Sequence, residues 1–111
     1  MEFASRVENG HSVVSLSGRL DAVTSPVCEQ KFRELVGGGA LGIVVDFENL
    51  EYISSAGLRA LLLLAKLLKE KGGKVCLAGA KQNVRSVLEM SGFTNIFQIR
   101  DTVAEALTSV G

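Results

Sequence analysis

The sequence has no tryptophan and only one proline, one histidine, one tyrosine and two cysteines in 111 residues. Each shortage excludes something. Two cysteines cannot build a disulfide scaffold and are too few for a structural zinc site. Cys28 and Cys76 therefore read as free thiols. With no signal peptide in view, a reducing, cytoplasmic compartment is expected. The single histidine, His11, follows the hairpin-turn pair Asn9-Gly10 and reads as an exposed strand-start residue. No Cys/His spacing resembles a metal site, and neither a Gly-x-Ser-x-Gly elbow nor a Gly-x-x-x-x-Gly-Lys-Ser/Thr loop occurs. The longest unbroken apolar run, Ala60–Ala65, is far short of a membrane span. Twelve basic and twelve acidic residues cancel, which argues against wholesale coating of DNA. No cofactor, metal, nucleic-acid or membrane partner is expected, and an enzyme is the least expected class.

What is present is material for one core. At 47% hydrophobic, 22% charged and mean hydropathy +0.29, residues 1–111 read as a single domain without a disordered tail. Glu2–Glu8 places Phe3 and Val7 on one face at a period of two, and Ser12–Ser17 resumes the alternation through Val14 and Leu16. An antiparallel N-terminal hairpin follows, left by a loop over Gly18-Arg19-Leu20-Asp21. Ser25-Pro26 reads as an N-cap hydroxyl with proline at the first helical position. Cys28, Phe32, Leu35 and Val36 then mark one helical face, ended by Gly37-Gly38-Gly39.

The β-branched run Ile43-Val44-Val45 suits a buried central strand ending at Asp46. The longest helix is expected from Ser55 to about Lys71, before Gly72-Gly73. A short strand at Val75–Ala78, a helix marked by Val84, Val87, Leu88 and Ser91, and an extended segment within Phe93–Ile99 follow. A last helix opens on the capping box Thr102-x-x-Glu105, with Val103, Ala106, Leu107 and Val110 as its apolar face. The order ββαβαβαβα predicts an α/β domain with a mixed sheet and about four helices.

The most informative stretch is the start of the longest helix. Ser54 or Ser55 can serve as its N-cap. Gly57 sits inside the first turn, where glycine costs about 1 kcal/mol against alanine, so a close backbone approach is expected there. Leu58, Leu61, Leu62, Ala65 and Leu68 are read as the core face, with Arg59, Lys66 and Glu70 as a charged stripe. Ala56, Ala60, Leu63 and Leu67 fall beyond the stripe, either under a neighbouring helix or free for a partner. Between residues 59 and 85 seven basic residues face one acid. That run is either a solvated helix face with its exit loop or a means of steering an acidic partner.

Gly18-Arg19-Leu20-Asp21, Val44-Val45-Asp46-Phe47, Leu50 and Ile53-Ser54-Ser55-Ala56-Gly57-Leu58, in this order and spacing, resemble the STAS domain family. The likeness is to its stand-alone bacterial members, the anti-sigma factor antagonists, and runs from the hairpin to the last helix. The resemblance implies a STAS-like fold and a binding protein switched by phosphorylation. In that family a serine or threonine at this helix start is phosphorylated by a partner serine kinase of the histidine-kinase-like ATPase fold. That kinase doubles as an anti-sigma factor or switch protein, and it binds the unphosphorylated form; a serine phosphatase restores binding. Many members read Asp-Ser-Ser/Thr-Gly where this chain reads Ser54-Ser55-Ala56-Gly57, so Ser54 replaces the usual aspartate. The acceptor implied is Ser55, with Ser54 as the alternative. The partner surface implied comprises Asp21, Ser54, Ser55, Ala56, Gly57, Arg59 and Leu63. Asp21 and Asp46 each read either as solvated turn or strand-end acids or as members of that surface. The rival reading is a module sensing a nucleotide or small anion at the helix start.

Overall fold

The computed structural model describes all residues from Met1 to Gly111. Strand β1 (Glu2–Glu8) and strand β2 (His11–Leu20) form the antiparallel hairpin. Asn9 and Gly10 turn it with φ of 54° and 78°, the paired positive values that a two-residue turn between twisted strands requires. Helix α1 (Ser25–Gly37), strand β3 (Gly42–Ile53), helix α2 (Ser55–Glu70), strand β4 (Lys74–Ala78) and helix α3 (Gln82–Met90) follow. A 3-10 turn at Phe93–Asn95, strand β5 (Gln98–Arg100) and helix α4 (Val103–Val110) complete the chain. The sheet order is β1-β2-β3-β4-β5, antiparallel only at the first pair and parallel across the rest.

Alternation along the strands divides the interior in two. Val14, Leu16, Ile43, Val45 and Leu77 face Cys28, Phe32 and Val36 of α1, Leu61, Leu64 and Leu68 of α2, and Val84 and Leu88 of α3. Val13, Val44, Cys76 and Ala78 face the other way, against Ala106, Leu107 and Val110 of α4. Half of the expected capping box forms: Thr102 Oγ1 accepts from the Glu105 amide at 3.2 Å, while the Glu105 carboxylate accepts from the Thr102 hydroxyl, also at 3.2 Å, rather than from its amide.

Several expectations are corrected. Gly18–Leu20 is strand, not loop: β2 continues to Leu20 through Gly18 at φ 90°, with register shifts at Ser15/Ser17 and Gly18/Arg19. Likewise β3 does not stop at Asp46 but runs on to Ile53, because Phe47, Leu50 and Ile53 are all buried in the larger core. Val7 is exposed, while Phe3, four residues away, packs edge-on against Phe32 of α1 with ring centroids 5.9 Å apart. The residue ahead of α1 is Thr24, without a side-chain cap, and Ser25 is the first helical residue with its hydroxyl buried and unpartnered. On α2 the buried residues are Gly57, Ala60, Leu61, Leu64 and Leu68, whereas Leu62 is exposed. The buried stripe is thus rotated from the expected one, because on α2 it is turned toward α1 and strands β3 and β4.

Candidate functional site

Parallel crossovers place the N-termini of α1, α2 and α3 at one edge of the sheet, beyond the C-terminal ends of β2, β3 and β4. There Leu20 pairs with Ile53, and the Ser54 amide donates to the Leu20 carbonyl at 2.9 Å. Asp21 therefore follows directly beside the start of α2. The fold thus brings together two segments over thirty residues apart.

Ser54 has extended backbone angles, and its side chain accepts from the Gly57 amide at 3.4 Å. It is the N-cap, half-buried, with its backbone carbonyl accepting from Leu58 at 2.9 Å. Ser55, the first helical residue, is exposed, and no hydrogen bond engages its hydroxyl. The two candidate hydroxyls thus have different work: one closes the helix end, the other faces solvent.

Gly57 is buried. A Cβ there would lie 2.8 Å from both the Leu20 carbonyl oxygen and Ile53 Cγ1. Glycine is the residue that lets α2 start this close to the β2–β3 pair, which accounts for a poor helix former in the first turn. Among the other expected contact residues, Ala56 and Leu63 are half-buried and Arg59 is exposed, one turn along α2 from Ser55. Asp46 lies elsewhere, mid-strand, its Oδ1 accepting from the Glu48 amide at 3.0 Å.

The Asp21 carboxylate organises the approach to α1. Oδ1 accepts from the amides of Val23 at 3.0 Å and Thr24 at 3.2 Å. Thr24 Oγ1 accepts from the Asp21 amide at 2.9 Å and donates to the Arg19 carbonyl at 2.8 Å. Oδ2 is left facing the Arg19 guanidinium at 3.7 Å. The Thr24 amide bond, foremost, holds the Asp21 carboxyl below its ordinary value; partial desolvation opposes it, and the Val23 amide and Arg19 charge assist. Asp21 is at once a turn-former and an exposed-edge anion.

Sequence reasoning missed three neighbours. Arg19 stacks over the Tyr52 ring at 4.2 Å, a pairing visible only once the register places Arg19 opposite Tyr52. Val23 is 83% exposed between Asp21 and Thr24, an apolar side chain with no core role; its only sequence signal is a valine in a polar turn.

The residues here suit contact and modification. No His, Cys, Asp or Glu cluster converges to hold a metal ion. The four surface cavities, of 250 to 540 Å³, include neither Ser54 nor Ser55 in their walls, so no pocket sits where the nucleotide reading needs one. No helix is long and apolar enough to cross a membrane. With no acid in the first turn of α2, the positive end of its dipole stands uncompensated beside Ser55.

Comparison with known proteins agrees with this architecture. The STAS domain model matches residues 2–106. The chain is 36% identical over 94 residues to BtrV of Bordetella bronchiseptica, which carries the name of an anti-sigma factor antagonist, covering 85% of this chain and 81% of that one. It is 33% identical over 102 residues to the anti-sigma F factor antagonist of Paenibacillus polymyxa, covering 91% and 87%. An anti-sigma factor antagonist from Mycobacterium paratuberculosis superposes with a TM-score of 0.89 at 29% identity, over 98% of this chain and 92% of that one. The antagonist SpoIIAA shares the fold in both its unphosphorylated and phosphorylated forms. The TM-scores are 0.84 and 0.76 at 23% and 24% identity, covering 98% and 99% of this chain and 96% and 100% of SpoIIAA. Strand order, helix placement and the match over nearly every residue lead to one assignment: the chain belongs to the STAS domain family.

Proposed function

We propose that this protein is an anti-sigma factor antagonist whose Ser55 hydroxyl is a phosphorylation switch. Unmodified, it binds a serine kinase that serves as the anti-sigma factor; phosphorylated, it lets go; a phosphatase resets it. The names of its relatives support the binding role. The observation that favours Ser55 is the division of labour at the helix start: the Ser54 side chain is occupied by the Gly57 amide, while the Ser55 hydroxyl is exposed and unengaged. The partner face built on this reading joins Asp21 and Val23 to Ser54, Ser55, Ala56, Arg59 and Leu63, with Gly57 holding the segments together from beneath.

The chemistry is a transfer of the ATP γ-phosphoryl group to Ser55 Oγ, with ADP leaving and the hydroxyl proton passing to a base of the kinase. The product carries about −1.5 to −2 charges and three acceptor oxygens. At the N-terminus of α2 these meet the positive end of the helix dipole, an interaction worth about 0.3–1 kcal/mol in favour of the fold. SpoIIAA keeps this fold when phosphorylated. Release therefore comes from the interface, where a dianion against a fitted or acidic surface adds repulsion and desolvation. A penalty of about 3–4 kcal/mol weakens binding by more than a hundredfold, enough to free a submicromolar partner.

The test is incubation with the cognate kinase and ATP, followed by mapping of the modified residue by mass spectrometry. Phosphate on Ser55 is the expected result. Phosphate on Ser54 alone overturns the assignment, and phosphate on neither overturns the switch.

A further inference from the structure

The far end of α2 carries a second feature. Lys66 and Lys69 of α2 and Lys74 of β4 border a groove of about 540 Å³ whose remaining wall includes Ile96, Gln98 and Ser109. The four ion pairs of the chain are Arg6–Glu8, Arg19–Asp21, Lys81–Glu51 and Arg85–Asp101, and none involves these three lysines. The basic stretch seen in the sequence is thus split by the fold. Its later members, Lys81 and Arg85, are neutralised at 2.8 Å by carboxylates, while three ammonium groups around one groove are left without a counter-charge. Ile96 stands 54% exposed at the same place, an apolar side chain that the core does not use.

We propose that this groove docks an acidic, extended segment of a partner protein that also carries an aliphatic side chain. Three unpaired cations call for carboxylates, and Ile96 calls for an apolar contact between them. Nucleic acid fits less well, for the groove presents no aromatic ring to stack on a base and no arginine to fork onto a phosphate. The groove is distinct from the serine site: Ser55 lies eleven positions from Lys66 and fourteen from Lys69, about 17 to 21 Å along the axis at 1.5 Å per residue. Docking here is therefore independent of the charge on Ser55, and a partner spanning both sites stays tethered after the phosphate has opened the first.

The full chain, isotope-labelled for NMR, is titrated at low salt with a blocked dodecapeptide alternating Glu and Leu, and separately with a random-sequence DNA duplex. The expected result is amide shifts centred on Lys66, Lys69, Lys74 and Ile96 with the peptide. Affinity should fall about tenfold or more in the Lys66→Glu/Lys74→Glu variant and stay unchanged in Ser55→Asp. Because charge reversal can disturb folding, Lys66→Gln/Lys74→Gln with an otherwise unaltered spectrum is the second variant, expected to lose affinity in the same direction. Peptide shifts scattered over the surface, affinity indifferent to both lysine variants, or a duplex that occupies the groove more tightly than the peptide would each overturn the proposal.

Discussion

The backbone amide of Ser54 donates to the carbonyl of Leu20 at 2.9 Å, and the missing side chain of Gly57 is what leaves room for that contact. One bond thereby joins the end of β2 to the start of α2 and sets Asp21 next to Ser55. The predictions about this edge follow from how little slack the contact has.

Gly57→Ala should destabilise the protein despite the better helix propensity of alanine, a gain of about 1 kcal/mol. The new Cβ meets backbone at 2.8 Å, which a side-chain rotation cannot relieve. Overpacking of about 1–3 kcal/mol prevails, the more so because the Leu20 carbonyl must shift. Urea unfolding should show a lower midpoint with unchanged slope, and a higher midpoint would refute the packing argument.

Ser54→Ala and Ser55→Ala should separate stability from signalling. The first removes the N-cap and costs about 0.5–1 kcal/mol, the low end of the usual range because the cap bond is long at 3.4 Å. The second removes an exposed, unengaged hydroxyl and should change stability by less than about 0.5 kcal/mol. Phosphate transfer should survive in Ser54→Ala and vanish in Ser55→Ala, measured by intact-mass spectrometry.

Asp21 should contribute acid-sensitive stability. Its folded pKa lies below the ordinary carboxylate value, chiefly through the Thr24 amide. A depressed carboxyl favours the fold above its unfolded pKa, and that favour is lost as pH falls through the folded value. Unfolding free energy measured from pH 6 downward should decline less steeply in Asp21→Asn than in the parent chain. An identical decline in both would show that the turn owes nothing to the charge.

Ser25→Ala should be neutral or stabilising. The Ser25 hydroxyl is 3% exposed and has no hydrogen-bond partner, so the native chain carries a desolvation cost of about 1–3 kcal/mol there without return. A rise in the thermal midpoint is expected, and a fall of several degrees would contradict the vacancy of that bond.

Cys28 should resist alkylation in the native state. Burial, foremost, and the charge of Glu29 push its thiol up to about 12, so almost no thiolate exists at neutral pH. Cys76 is shifted the same way by burial. Labelling by a thiol reagent should follow the rate of unfolding in urea; prompt labelling of either thiol in buffer would show an opening that the packing does not suggest.

Where the sequence was legible, the information was local. Asn9-Gly10, Thr102-x-x-Glu105 and the glycines after each helix mark their turns because neighbouring residues satisfy the backbone there. The pair Ser54-Ser55 was legible as a helix start for the same reason. Its division into cap and free hydroxyl was not, since both residues are serine and only the backbone angles of Ser54 make it the cap. The extent of β3 was misjudged because Glu48, Asn49 and Glu51 interrupt its apolar pattern; they are exposed, while Phe47, Leu50 and Ile53 among them stay in the larger core. Asp46 consequently moved from the expected strand end to mid-strand.

By itself the sequence determined the element order, the hairpin turn, the apolar stripes of α1 and α4 and the place of the serine pair. These depend on periodicity and capping within a few residues. Only the tertiary structure decided that Arg19 stacks on Tyr52, that Gly57 is filled by Leu20 and Ile53, and which of the seven clustered cations find a carboxylate. Most of these contacts join residues sixteen or more positions apart, and strand register, which one bulge can shift, fixes which side chains meet.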